Sequence, residues 1–485
     1  MKLFEHIKNK QQEKLKAKRQ IYIDMLFEQA VDEITSLLTY RKEIENLDGH
    51  THWKVIEVEK KVLELIEEEP DILHQQNSEK LNLGMYACMY GLEQIALRSL
   101  DDEIANIQQD AWGENIGMYA AGNDFENVVL KALDNPVASV QVDDEGDTIG
   151  IKAARHGMER AAMKAIQNPE AAKIQNEIGR NIGMCASSNG MISVIKEFIK
   201  NPEVVLQVDE DGKNIGMYAA IDGHEDLVIE LLDNKELSLQ QDKKSKFNLG
   251  MCAAMASMET ATLKALDNND ASIQQSLIGR NIGMYAALYR LENAAMKALE
   301  NEEASVQQDY YSKFNIGMYA VDYDLEEVAL KALDNPVVAV QQDKDGMNIG
   351  MLAAPSLMES VCLKALENEQ ASIQQDYKGR NIGYMAAKYC LDSVVVKALD
   401  NETARLQTTD EGSYMSMEAV TTKLKGATLK SLEIPELRHI NYAHLDVVKV
   451  ATELFDDPVE DKEIIDKLQK IKESEKLDST DCMEN

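Results

Sequence analysis

The residues able to act as nucleophiles, acid–base catalysts or metal ligands are few and scattered. The eight histidines are His6, His50, His52, His74, His156, His224, His439 and His444. None stands in the HExxH spacing that sets two imidazoles on one helix face, nor in a zinc-finger spacing. His50 and His52 read as surface or core side chains. The six cysteines contain no CxxC pair, which suits a reducing, cytoplasmic setting. Cys88, Cys185 and Cys252 recur in one helical segment, and Cys362 and Cys390 are read as helix residues too. A Cys–His dyad stays open, because its partners need only meet in space. The recurring Gly-x-Asn-Ile-Gly lacks the Gly-Lys-Ser/Thr of a phosphate loop. The expectation is therefore no catalytic set, no cofactor and no metal, and a chain that is not an enzyme. The alternatives are an active site built by the divergent ends, residues 1–80 and 413–485, or an inhibitor that covers another enzyme.

The elements that position these residues follow from one phrase, Asn-Ile-Gly-Met-Tyr-Ala-Ala. Its glycine recurs as Gly84, Gly117, Gly150, Gly183, Gly216, Gly250, Gly283, Gly317, Gly350 and Gly383, always 33 or 34 residues apart. Ten copies at so steady a period make a repeat array. In the unit Asp209 to Asp242, Asp209 to Gly212 predicts a turn. Asn214 predicts an N-cap for a short helix over 215–220. Gly223 predicts its end, and the spacing of Leu227, Val228, Leu231 and Leu232 predicts a second helix over 226–232. Asn234 ends that helix, and a polar link leads on. One such unit cannot bury its apolar face alone, but stacked units can.

This unit resembles the ankyrin repeat, whose pattern is D-x-x-G-x-T-P-L-H-x-A-A-x-x-G followed by a Leu-rich helix. Asp209, Gly212, Asn214, Ala219, Ala220 and Gly223 fall on its Asp, Gly, Thr, Ala, Ala and Gly. The likeness covers about residues 80–412 and implies an all-α solenoid of stacked helix-turn-helix units with short hairpin turns. Asn in place of Thr keeps the cap. Ile replaces Pro, Gly replaces the core Leu, and Met replaces the His that carries the family's polar ladder between units. Closer helix contact at Gly and filling by flexible Met are expected instead.

Composition agrees with a thin, helix-built core: 44% hydrophobic residues, 5% aromatic, and 23 Met. The net charge of −34, from 51 basic and 85 acidic residues, disfavours nucleic acid and anionic membranes. No stretch is long and apolar enough to span a membrane, and a monomer is the expected state. Residues 1–79 read as an N-terminal helical cap with a degenerate unit opening at Asp48-Gly49-His50-Thr51. Residues 413–475 read as a C-terminal helical cap, and 476–485 as a disordered tail. That acidic, polar tail resembles translocation signals of bacterial proteins injected into host cells by type IV secretion, which often carry ankyrin arrays. The resemblance implies an effector secreted into a host cell that acts on a host protein.

In the family, partners bind the turn tips and the exposed side of the first helices. The early tips here are acidic: Asp143, Asp144 and Glu145, then Asp209, Glu210 and Asp211. The later ones change to aromatic and basic residues. Phe247, Arg280, Tyr310, Tyr311, Phe314, Tyr377 and Arg380 lie at tips, and Tyr289, Arg290, Tyr323 and Tyr389 at the ends of first helices. Tyr and Arg offer large contact area and hydrogen bonding at modest entropic cost. These eleven residues are the candidate surface of a scaffold that captures a partner protein. The competing reading is that the tip aromatics fold back over neighbouring loops.

Overall fold

The computed structural model describes residues 2–43, 50–438 and 446–481. Among them are α-helices, short 3-10 turns and two isolated β-bridges, with no strand. The chain divides into two compact units, residues 1–228 and 229–485. Both are built from the same repeat.

One copy from the second unit shows the construction. Asn281 is extended, and its Oδ1 accepts the Met284 N–H at 2.9 Å, which starts the helix Ile282–Leu288. The chain turns at Arg290, and Glu292–Ala298 runs back against the first helix. The helices expected over 215–220 and 226–232 are Ile215–Ile221 and Glu225–Leu231. The link that follows is not a plain loop. Asn301 Oδ1 accepts the Glu303 and Ala304 N–H groups at 3.1 and 3.0 Å and caps a third helical turn, Glu302–Ser305. Its Nδ2 donates to Ser272 Oγ of the preceding copy at 2.8 Å. Asn234 plays the same capping role for Lys235–Leu239. One amide thus caps a turn and ties two copies together, so the position read as a helix stop is a helix start.

The glycine of the motif works as a notch. A Cβ on Gly283 would lie 2.5 Å from Ala298 Cβ and 2.6 Å from Ile316 Cδ1. A Cβ on Gly250 would meet Ile282 Cδ1 and Ala265 Cβ just as closely. The isoleucine that replaces the family's proline therefore fills the space left by the missing leucine one copy earlier. The close approach expected at glycine is realised, with small residues such as Ala294, Ala295 and Ala298 buried on the second helix.

The polar ladder was not expected, yet one is present and carried by other residues. Asn281 Nδ2 donates to Gln307 Oε1 at 2.8 Å, and Gln307 Nε2 donates to the Ile273 carbonyl at 2.8 Å. The same pair recurs as Asn248–Gln274 and Asn381–Gln407, and in the first unit as Asn82–Gln108 and Asn115–Gln141. Where the cap is Thr148, which has no amide to give, Ile174 stands in the glutamine position.

In the first unit the helix Lys2–Glu43 packs beside Leu83–Tyr90, and His50–Glu68 packs against Lys2–Glu43 and beside Glu93–Ser99. Ile23, Leu26, Ala30, Ile34 and Leu37 recur every three or four residues and are buried together. Arg19 clamps Glu69 and Asp71 at 2.7 and 2.8 Å. Asp48 and Gly49, expected to open a degenerate copy, lie outside the described residues. In the second unit Met415–Thr421 and Lys425–Glu433 continue the helix pairs without the motif. Val447–Leu454 and Lys462–Asp481 then cover the end, burying Met417, Leu432, Phe455, Ile464 and Leu468. The last helix runs to Asp481, into the segment expected to be a disordered tail, and residues 482–485 lie outside the described ones.

Candidate protein-interaction surface

Each tip of the second unit is an Asx-type turn held by its own acid or hydroxyl. Asp376 Oδ1 accepts the N–H groups of Lys378 and Arg380 at 2.9 and 2.8 Å. The tip opened by Asp309 is one residue longer and uses both carboxylate oxygens. Oδ1 takes Tyr311 N–H and Ser312 N–H, and Oδ2 takes Phe314 N–H at 3.1 Å and the Tyr319 hydroxyl at 3.0 Å. Burial alone would raise the Asp309 carboxyl. The Ser312 hydroxyl, these backbone donors and Tyr319 outweigh it and hold the group below the usual carboxylate range. In the next tip Leu352 stands in the slot of Tyr319, and burial pushes Asp343 up.

Neighbouring tips are locked in register through the backbone. The N–H groups of Leu277, Tyr310, Lys344, Tyr377 and Asp410 donate to the carbonyls of Ser245, Ile278, Ser312, Asp345 and Lys378 at 2.8–3.0 Å. The row is therefore pre-ordered, which lowers the entropic cost of binding along it.

The eleven candidate residues fall into two groups. Phe247, Arg280 and Phe314 belong to an internal stack. Phe247 meets the Tyr285 ring edge-on at 5.4 Å, and Phe314 meets Tyr319 edge-on at 5.3 Å. The Arg280 guanidinium lies between those rings, 5.9 Å from Tyr285 and 5.0 Å from Tyr319. Arg380 is half-buried and donates to Asp376 Oδ2 at 2.7 Å. Tyr323 and Tyr389 are half-buried at helix ends, while Tyr289 is 37% exposed. Arg290 reaches out to Asp324 at 2.8 Å. Tyr310 is intermediate in character: its ring covers Gly279 yet stays 55% exposed. Tyr311 and Tyr377 project freely, 75% and 74% exposed.

Two kinds of residue were missed. Leu277 is 63% exposed in the same register as Tyr310 and Tyr377. Lys313 and Lys344 are exposed on the tips beside them. The signal lay in the alignment, since Leu277 and Lys344 take the tip position of Tyr310 and Tyr377, and Lys313 directly precedes Phe314.

The early acidic tips, in the first unit, are only partly presented. Asp143 and Asp209 are buried in their own turns; Asp209 also accepts the Tyr218 hydroxyl at 2.7 Å, and Asp143 pairs with Lys152 at 2.8 Å. Asp144, Glu145 and Glu210 remain exposed. Burial pushes the Cys185 thiol up to about 11 and Cys362 to about 12, so neither is a thiolate at neutral pH. Cys390, read as a helix residue, instead follows the helix Ile382–Lys388 in a left-handed turn and is exposed. Among the described residues no group of three His, Cys, Asp or Glu side chains is placed to hold a metal ion. Nor is any described helix long and apolar enough to cross a membrane.

Comparison with known proteins agrees with this geometry. Residues 151–244 match the family model described as ankyrin repeats in three copies. No curated protein matches the chain. Ankyrin repeats are in general protein–protein interaction modules. The matched copies share their Asx turn, capped helix pair and 33–34-residue period with those before and after them, so residues 151–244 are ankyrin repeats and the helical repeats on either side have the same ankyrin-type fold.

Proposed function

We propose that the protein is a scaffold that captures a partner protein on the row of tips in residues 242–380. The observation that carries this reading is the pairing of free aromatic and apolar side chains with a rigid base. Tyr311, Tyr377 and Leu277 are largely exposed on turns that the backbone ladder fixes in register. Large side chains presented without an ordering cost are what binding hot spots require. Phe247, Arg280, Phe314 and Arg380 act as the frame beneath them, and Tyr289, Tyr310, Tyr323 and Tyr389 line its flank.

The test is affinity capture from eukaryotic cell lysate, read by quantitative mass spectrometry. The intact chain is compared with a Leu277→Ala, Tyr311→Ala, Tyr377→Ala variant, which spares the internal stack. A protein enriched by the first and lost with the second supports the reading. Enrichment that survives all three changes places the contact elsewhere.

In the effector version of this reading the scaffold acts on a host protein in the host cytoplasm. The polar, acidic end of the chain supports it. Deleting residues 466–485 should abolish delivery of a reporter fusion by a type IV secretion system, and unchanged delivery overturns that version alone.

A further inference from the structure

Five tips of the second unit, those from Asp242 to Arg380, differ in charge from the rest of the chain, the sixth tip included, where Asp410 and Glu411 are exposed acids. From Asp242 to Arg380 they hold eight cations (Lys243, Lys244, Lys246, Arg280, Lys313, Lys344, Lys378 and Arg380) against five acids (Asp242, Asp309, Asp343, Asp345 and Asp376), a net of +3. The tips of the first unit, from Asn77 to Lys213, hold eleven acids against three cations, a net of −8. The outward contrast is larger still. Asp242, Asp309, Asp343 and Asp376 are buried, with their oxygens committed to the N–H groups of their own turns. Asp345 is the exposed acid among them. Six lysines of the row are exposed, and no acid pairs with Lys243, Lys246, Lys313, Lys344 or Lys378 among the described residues.

Two of these lysines occupy backbone positions that normally call for glycine. The left-handed residue of the shorter tips is Gly279, Gly346 and Gly379, whereas Lys246 and Lys313 hold it with φ of 58° and 59°. An L-residue there costs roughly 1–2 kcal/mol. Lys80 holds the same place in a tip of the first unit with φ of 62°, so strained lysine is a recurrent tip feature, and in the second unit it adds two of the exposed cations.

We infer that this row binds an extended acidic polypeptide segment carrying apolar side chains. The inference rests on the scaffold reading and names the chemistry of its partner. The first positions of successive tips read Lys243, Leu277, Tyr310, Lys344 and Tyr377, so two cations are interspersed with three apolar or aromatic contacts, the last four of the five locked in register through the backbone. Packed helices stand about 8–10 Å apart, and an extended chain advances about 3.3 Å per residue. A bound segment therefore offers about three residues to each tip and about 12 to the whole row. Carboxylates meet the lysines, and apolar side chains lie on Leu277, Tyr311 and Tyr377. A protein of net −34 repels polyanions as a whole, so attraction of an acidic peptide requires a local basic surface such as this one.

The probe is a fluorescein-labelled 15-residue peptide of five Glu-Asp-Val triplets, with five Ser-Thr-Val triplets as the neutral comparator. Binding to the full chain is read by fluorescence anisotropy. The acidic peptide should bind at least about tenfold tighter than the neutral one in 50 mM NaCl, with most of that advantage gone in 500 mM. Changing Lys243, Lys313, Lys344 and Lys378 to Glu should remove it while leaving the thermal melt unchanged. The inference is overturned if the acidic peptide shows no advantage, if the reversed variant binds it equally, or if a 15-nucleotide single-stranded DNA binds as tightly. It is also overturned if the chain itself dimerises at low salt through these lysines, which would make a second copy the occupant. Failure of the peptide while the Leu277, Tyr311 and Tyr377 changes still abolish lysate capture rejects the acidic partner and leaves the scaffold reading standing. Failure of both rejects both.

Discussion

Asn281 Nδ2 and Gln307 Oε1 are joined at 2.8 Å, and the same glutamine reaches back to the Ile273 carbonyl of the preceding copy. The asparagine also caps its own helix, so one pair couples local helix formation to stacking. Gln307→Ala should cost about 1–2 kcal/mol, because it strands the Ile273 carbonyl and one Asn281 N–H. Asn281→Ala should cost more, about 2–3 kcal/mol, through loss of the cap as well. The chain itself holds the compensated alternative in Thr148 and Ile174. Asn281→Thr with Gln307→Ile should therefore be milder than the sum of the single changes by about 1 kcal/mol. Urea melts of the intact chain, Asn281→Thr, Gln307→Ile and the double variant check this, and strict additivity would refute the coupling.

The notch at Gly283 sets a different balance. Alanine in a helix gains up to about 1 kcal/mol over glycine, but the new Cβ would sit 2.5 Å from Ala298 Cβ and 2.6 Å from Ile316 Cδ1. Overpacking of this kind costs about 1–3 kcal/mol. The net prediction is destabilisation of Gly283→Ala, eased but not cured by adding Ile316→Val, which removes one of the two clashes. A rise in the midpoint of unfolding for Gly283→Ala would show that the stack has slack there.

Much of this was legible in the sequence, for a physical reason. The period, the Asn cap and the Gly notch are local signals written into nearly every copy, so the eye averages over ten examples. The Asn–Gln ladder was not read because it joins residues 23–34 apart, and nothing in one unit says that Asn301 faces Ser272 or that Gln307 faces Ile273. The third helical turn is local, and it was not read because an asparagine straight after a helix serves equally as a stop or as the cap of the next turn, the role that Asn301 takes. The surface was half legible for the same reason. Residue type flagged Phe247 and Tyr311 alike, but only the fold shows that Phe247 lies against Tyr285 while Tyr311 meets solvent.

Arg280 separates a frame residue from a contact residue. Its guanidinium lies over both Tyr285 and Tyr319, and cation–π contacts of this kind are worth about 0.5–2 kcal/mol. Arg280→Lys keeps the charge but cannot reproduce the planar stacking. It should lower the midpoint of unfolding by an amount equivalent to about 1 kcal/mol and leave capture of the partner within twofold. Loss of capture without loss of stability would move Arg280 into the contact surface.

Acid should find the tip of Asp309. Its folded-state pKa lies below the ordinary value of about 3.9, so the unfolded chain binds the proton first. The carboxylate thus contributes stability above the unfolded pKa, and that contribution is lost as pH falls through the folded value. Asp343 has the opposite shift, raised by burial, and its contribution runs the other way. Between pH 6 and pH 3 the intact chain should lose more thermal stability than Asp309→Asn does, whereas Asp343→Asn should not narrow the loss. Parallel melting curves for all three would remove Asp309 as a pH-sensitive element.

Lys246 and Lys313 tie stability to the proposed function most directly. Both hold a left-handed backbone, with φ of 58° and 59°. Glycine there relieves about 1–2 kcal/mol of strain and loses about 0.5–1 kcal/mol to its greater freedom when unfolded. Each Lys→Gly change should therefore stabilise the chain by about 0.5–1 kcal/mol, and the pair by about twice that, since the sites lie two copies apart. The same double variant removes two of the exposed cations and should bind the acidic peptide several-fold more weakly. A chain that becomes both more stable and a weaker binder identifies these lysines as strained for contact. A more stable chain with unchanged binding would mean that the two lysines lie off the path of the bound segment.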